Sequence, residues 1–194
     1  MSLTRSHRST PAWTGWVFWA LVGFMAAGSV GAATETPIRS IEIVQDSDGY
    51  VANAVMFAPV PTRVAWEVLT DFENMARWVP NVRESKVVAR ESNSLTVEQH
   101  GVAKFGLASF SYESVRQMDL DPQQTIRSKQ LKGNMRRLES LMTLAPDGAG
   151  TRLTYRLQMT PSGLAAAVLS KEFLEHEIGE QFAAIVGEMV RRNR

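Results

Sequence analysis

Apolar residues recur with helical spacing over one long stretch, residues 161–194. At about 100° per residue, Leu164, Ala167, Val168, Leu174, Ile178, Phe182, Ile185, Val186, Met189 and Val190 share one broad arc, with Glu177, Glu180, Gln181 and Glu188 opposite. An arc wider than a coiled-coil seam predicts a helix pressed on a curved surface rather than on one partner helix. Ser162 is placed to cap its start, and Arg191, Arg192 and Arg194 complement the dipole at its end. Lys171 and Glu175 lie inside the apolar arc one turn apart. They either face a partly polar cavity or form an open i,i+4 pair where the helix overhangs the sheet.

Upstream the period changes. Residues 38–44 and 50–58 read as strands joined by the turn chemistry of Asp46-Ser47-Asp48-Gly49. Pro59 and Pro61 end the second strand and open a short helix over 62–69, where Val64, Val68 and Leu69 share a face and Trp66 adds a large apolar body. Thr70-Asp71-Phe72-Glu73 has the form of a capping box for a second short helix, which Pro80 ends by steering Val79 away from the α region. Strands then follow at 82–90, 95–103, 105–118, 125–131, 135–144 and 151–159. The breaks between them are Glu91-Ser92-Asn93-Ser94, Gly101 with Gly106, Asp121-Pro122, Gly133-Asn134 and Pro146-Asp147-Gly148. In the last strand Leu153, Tyr155, Leu157 and Met159 alternate with Arg152, Thr154, Arg156 and Gln158, the pattern of a half-buried antiparallel sheet. In the strand before it, Leu138, Ser140, Met142 and Leu144 share a face. Strands followed by a terminal helix predict an α+β domain with the helix on one face of the sheet. A sheet of this many twisted strands tends to curl, which leaves a space beneath the helix.

The N-terminus changes the picture of where this domain works. Arg5 and Arg8 precede an uncharged apolar run over 12–30, and Gly31-Ala32-Ala33 follows before the first acidic residue, Glu35. That order predicts a secretory signal peptide over 1–33 and a mature domain over 34–194, periplasmic or secreted. An uncleaved membrane anchor is the alternative, since the run approaches the length of a span. Cleavage removes two of the 21 basic residues and none of the 20 acidic ones, so the mature net charge is −1. That balance gives no reason to expect a nucleic-acid partner. The chain has no cysteine, so it has neither disulfides nor thiolate chemistry.

No nucleophile elbow, phosphate-binding loop or dinucleotide fingerprint is present. His100 and His176 are far apart without metal-ligand spacing, so neither a metal nor a cofactor is expected. Glu98 and His100 share one face of a strand and could form an acid/base pair if that face points inward. Leu95 and Val97 share the other face with Gln99, which argues that Gln99 is the inward residue. Phe110 with Tyr112, and Ile126 with Ser128 and Gln130, supply the mixture of apolar walls and few polar groups that a small-molecule pocket uses. Lys129, Lys132, Arg136 and Arg137 bracket the Gly133 turn, as a solvated face or as a site of transient contact with an anionic membrane surface.

The stretch from Ala58-Pro59-Val60-Pro61 through Trp66 and Thr70-Asp71-Phe72-Glu73 to Trp78-Val79-Pro80-Asn81-Val82 resembles the opening of START-like (helix-grip, SRPBCC-type) domains. Within that superfamily it is most similar to bacterial polyketide cyclase/dehydrase-like and coenzyme Q-binding START-like proteins. Gly133-Asn134-Met135-Arg136-Arg137-Leu138-Glu139 and Gly150-Thr151 through Pro161 resemble the later segments in the same order, so the likeness spans residues 38–192. The resemblance implies a curved antiparallel sheet wrapped around the C-terminal helix, and a deep apolar cavity that members use for lipids, quinones, polyketides or plant hormones. The implied partner is a hydrophobic small molecule or lipid, quinones and polyketide-like compounds included. Ligand contacts are expected from Gln99, Phe110, Tyr112, Ser128, Gln130 and Ser140 on the sheet. Lys171, Leu174, Glu175 and Ile178 would add contacts from the helix, and Trp66 and Trp78 would border the opening as a lid. The matching positions are caps, prolines, turn glycines and core residues, so the likeness bears on fold more than on activity. The leading expectation is a carrier without catalytic residues. Its rivals are a cyclase/dehydratase-like enzyme using Glu98, His100, Tyr112 or the Lys171/Glu175 pair, and an interaction module whose cavity is filled by its own side chains.

Overall fold

The computed structural model describes residues 36–194, and the expected signal peptide over 1–33 lies outside the described residues. The hydrophobic alternation produces eight strands: β1 (Ile38–Asp46), β2 (Gly49–Ala58), β3 (Val82–Glu91), β4 (Ser94–Phe105), β5 (Ala108–Asp121), β6 (Thr125–Gly133), β7 (Met135–Asp147) and β8 (Gly150–Pro161). All pair antiparallel in one curved sheet of order β1-β2-β8-β7-β6-β5-β4-β3. The consecutive strands β3 to β8 make a meander, and the β1–β2 hairpin adds to its far side through β2 and β8. Helix α1 (Thr62–Leu69) and a 3₁₀ turn (Phe72–Arg77) bridge β2 to β3. Helices α2 (Leu164–Val168) and α3 (Lys171–Arg192) follow the last strand. This is the expected helix-grip architecture.

The C-terminal helix differs from its expected form in two ways. It is not continuous: Leu169 and Ser170 are extended, and Ser170 rather than Ser162 is the N-cap, its hydroxyl accepting from Phe173 N at 3.1 Å. Ser162 instead donates to Asn134 O. The break lets Leu169 bury itself while its carbonyl accepts the Tyr50 hydroxyl at 2.9 Å, a bond that ties the start of β2 to the α2–α3 junction. The second difference is the buried arc of α3, which is wider than its aliphatic stripe. Phe173, Glu177 and Glu188 are all buried, although both glutamates were expected on the polar side. Lys171 and Glu175, expected within the arc, are exposed at its open first turns.

Two local expectations also change. The capping box does not form: Thr70 closes α1 by donating its hydroxyl to Trp66 O, and Asp71 precedes the 3₁₀ turn with its carboxylate on Asn74 and Arg192. Gly101 is no strand break. It lies within β4, where a Cβ would collide with Asn81 O and the Tyr112 hydroxyl, and its bareness lets Asn81 O accept both Val102 N at 2.9 Å and Tyr112 Oη at 3.2 Å.

The far end of α3 is held by charge. Glu188, 6% exposed, accepts from Arg191 and Arg192, and Arg192 also donates to Asp71 Oδ2 at 2.6 Å. This network joins the helix end to the segment after α1. Hydrogen bonding from Arg191 first, and then from Arg192, holds the Glu188 carboxyl at about 2 against the opposing effect of burial.

Loss of the Ser170 cap should cost about 1 kcal/mol. Ser170→Ala is therefore expected to lower stability in urea denaturation by that amount, with Ser162→Ala within about 0.5 kcal/mol of wild type. Because the folded pKa of Glu188 is depressed, its stabilisation is present above the unfolded carboxylate value and is lost as pH falls from about 4.3 toward about 2. Glu188→Gln should flatten the stability profile in that acid window.

Candidate functional site

Between the concave face of the sheet and α3 lies a cavity of about 250 Å³. Strand alternation builds its walls. On β5, Phe110, Tyr112, Ser114, Arg116 and Met118 all line it. The β7–β8 side contributes Leu138, Ser140, Met142, Tyr155, Leu157 and Met159. Opposite them, α3 presents Leu174, Ile178, Phe182 and Ile185, and the Phe182 ring meets Tyr155 edge-on with centroids 5.0 Å apart.

Polar groups are concentrated on β4 to β6. Gln99, 3% exposed, donates to Ser85 Oγ at 3.1 Å and accepts from Arg116 Nη2. Arg116 stands opposite Gln130 in the β5–β6 register, beside a local bulge. Its Nε is buried without a partner, as are Gln130 Oε1, Asn134 Oδ1 and Asn81 Oδ1, all on residues that line the cavity. The amide orientations are fixed by the nitrogens, which donate to Met135 O, Ser111 O and Glu177 Oε2 respectively. Each unsatisfied buried group costs about 1–3 kcal/mol, so this wall is poorly satisfied by the protein itself. Burial pushes the Arg116 guanidinium pKa down, partly offset by the Tyr155 and Tyr112 phenols nearby. Burial raises the Tyr112 phenol to about 12, against the pull of Arg116 and with a further push from Glu177. Burial likewise raises Tyr155, opposed by a hydrogen bond to Ser140 and the charge of Arg116. Both phenols are neutral donors near pH 7.

Of the expected ligand-facing residues, Gln99, Phe110, Tyr112, Gln130, Ser140, Leu174 and Ile178 are brought together on this wall. Five are not. Trp66 is half-buried against the core on α1, and Ser128 is buried on β6 but outside the lining. Trp78 lies in a separate surface recess with Asp71, Asn74, Arg77, Glu188, Arg191 and Arg192. Lys171 and Glu175 are exposed on the open side of the first turns of α3. Glu98 and His100 do pair, at 3.0 Å, but half-exposed and outside the cavity lining.

Arg116 and Glu177 belong to the site without having been expected there. Extending the Phe110–Tyr112 face by steps of two reaches Ser114 and Arg116, so the strand period held the signal for the arginine. Phe173, one turn before Glu177, held it for the glutamate, since together they widen the helix arc. Glu177 accepts from Asn81 Nδ2 at 2.6 Å and from Lys104 N at 2.9 Å, which clamps α3 to the β3 approach and to β4. Among the described residues, His176, Glu177 and Glu180 could bring ligand atoms within 4.8 Å of one another, but the Glu177 oxygens are already engaged in that clamp.

Fold and cavity define a START-type helix-grip protein. The chain belongs to the polyketide cyclase / dehydrase and lipid transport family, which matches residues 58–186. No curated protein matches its sequence. Among solved structures it is similar to a protein of Thermus thermophilus (16% identity, TM-score 0.64, covering 74% of this chain and 99% of that one). It is similar also to the Zhui aromatase/cyclase of a Streptomyces species (20%, 0.60, 80% and 97%). A third is a STAR-related lipid transfer protein fragment of Xanthomonas axonopodis (16%, 0.60, 77% and 90%). At these identities the likeness is one of fold.

Removing the Glu177 clamp leaves the buried Asn81 Nδ2 and the Lys104 N–H unpaired, so Glu177→Ala is expected to lose about 2 kcal/mol in urea unfolding. Lys171→Ala, at an exposed position, should stay within about 0.5 kcal/mol.

Proposed function

We propose that this chain is an exported helix-grip protein that binds or carries a hydrophobic small molecule or lipid without chemical turnover. The observation that supports it most is the cavity itself: apolar walls from β7, β8 and α3 face a strip of polar groups whose own bonds are incomplete. A ligand that buries about 200 Å² of apolar area gains about 5 kcal/mol at ~25 cal/mol per Å², and the polar strip then decides its orientation. Family membership agrees, since its description joins polyketide chemistry to lipid transport. Quinone-like and polyketide-like compounds are within the range of occupants. Export rests on Arg5, Arg8, the apolar run over 12–30 and Gly31-Ala32-Ala33. Lys129, Lys132, Arg136 and Arg137 are exposed around the β6–β7 turn beside Leu131, an arrangement suited to transient contact with an anionic membrane surface during exchange.

The second reading, a cyclase/dehydratase, draws on the likeness to the aromatase/cyclase and on Tyr112, a buried phenol able to donate a proton. Turnover of a poly-β-ketone by wild type that fails in Tyr112→Phe would favour it.

Native mass spectrometry of protein isolated gently from the periplasm is the direct test. A near-stoichiometric hydrophobic ligand is expected, on a chain that begins after residue 33. Ala103 lines the cavity without a side-chain hydrogen bond, so Ala103→Phe should fill the space and lower retention about tenfold or more. Trp78→Ala, outside the wall, should leave retention unchanged. An empty wild-type protein, or retention indifferent to Ala103→Phe, would sink the carrier reading.

A further inference from the structure

Arg116 is a cation on the wall of a mostly apolar cavity, and no carboxylate neutralises it. Among the described residues it makes no ion pair, its one hydrogen bond goes to the neutral Gln99 Oε1, and its Nε is buried without a partner. Two acids share the wall, and neither serves. Glu177 is committed to Asn81 and Lys104 N, while Glu113 is exposed, with His100 Nδ1 3.9 Å from its carboxylate. The other polar groups on the wall are amides, hydroxyls and the two tyrosines, all neutral. An uncompensated guanidinium that is partly buried, with its Nε fully so, destabilises the empty protein. In surroundings of low dielectric it also attracts any anion that enters far more strongly than a surface arginine would.

The shape of the group narrows the anion. A guanidinium is a planar fork of N–H donors, and the complementary acceptor is the planar pair of oxygens of a carboxylate. The apolar residues of β7, β8 and α3 line the same cavity as this fork, so an anion with no hydrocarbon body would leave most of the wall unused.

We propose that the cavity selects an apolar carboxylate, its oxygens on Arg116 and its hydrocarbon body against β7, β8 and α3. This rests on the ligand-binding reading above and adds the chemical class of the ligand. The protein thus distinguishes an acid from the neutral alcohol of equal length.

Isothermal titration calorimetry at neutral pH with two matched pairs tests this: decanoate against 1-decanol, and 2-naphthoate against 2-naphthylmethanol. The acid of the pair that fits is expected to bind at least about tenfold tighter than its alcohol, the scale of one charge-assisted contact. Arg116→Gln should erase that preference, lowering acid affinity about tenfold, to the level of the matched alcohol. Arg116→Lys should keep part of it. The melting temperature of Arg116→Gln is expected to be no lower than that of wild type, because the substitution removes a buried unpaired charge. A purely structural arginine would instead lower it. Equal binding of acid and alcohol, or a preference that survives Arg116→Gln, overturns the carboxylate assignment alone. Failure of all four probes to bind the folded protein overturns the carrier reading and this inference with it.

Discussion

A void beneath a helix persists only if helix and sheet are fastened around it, because free apolar surfaces otherwise close on each other. Here much of the fastening is polar. Glu177 grips Asn81 and Lys104 N near the start of α3, the Tyr50 hydroxyl holds the Leu169 carbonyl at the α2–α3 junction, and Arg192 joins Glu188 to Asp71 at the far end. Hydrogen bonds fix distance as well as attraction, whereas burial is non-directional. Aliphatic packing alone would favour a collapsed core. These directional contacts set where α3 lies, and the apolar residues between them are left to line a space rather than fill it.

The wall of that space divides by strand. Leu138, Met142, Leu157 and Met159 on β7 and β8 join Ile178 and Phe182 on α3 as the greasy side, and Gln99, Arg116 and Gln130 on β4 to β6 form the polar side. A core selected only for stability would satisfy Arg116 Nε and Gln130 Oε1 or replace them with apolar groups. Four of the six unpaired buried side-chain atoms among the described residues belong to residues of the cavity wall, Ser128 Oγ and Trp78 Nε1 being the others, and such a local conflict is the kind that marks a functional surface.

Much of the fold was legible in the sequence. Period-two alternation and turn chemistry located every strand, and α1 matched its expected bounds over 62–69. Errors came where tertiary contacts outrank local pattern. Thr70 and Glu73 have the spacing of a capping box, but Thr70 Oγ1 found the nearer Trp66 carbonyl. Gly101 looks like punctuation, yet its smallness serves the approach of Asn81 O within a strand. Ser162 was the expected cap, whereas Ser170 caps α3, and the contact from Tyr50, more than a hundred positions away, bears on where the helix restarts. For the site, apolar and amide residues could be placed by strand parity, whereas Trp66 and Trp78 could not: Trp66, within α1, packs half-buried against the core, and Trp78, at the end of the 3₁₀ turn, falls in a separate recess.

The charged residues were the hardest to read, and they matter most. A glutamate or arginine in an amphipathic pattern is ordinarily on the solvent side, because burying a charge without a partner is unfavourable. That rule places Lys171 and Glu175 correctly, on the exposed side of α3, although their helical positions fall within the apolar arc. It places Glu177 wrongly because Asn81 and a backbone N–H supply the compensation from distant strands. Arg116 is the remaining case, in which compensation among the described residues stops at one neutral amide. The difference between Glu177 and Arg116 therefore separates two uses of buried charge. Where the protein completes the bonds, the charge fixes the architecture, and where it leaves them open, the charge is available to a ligand.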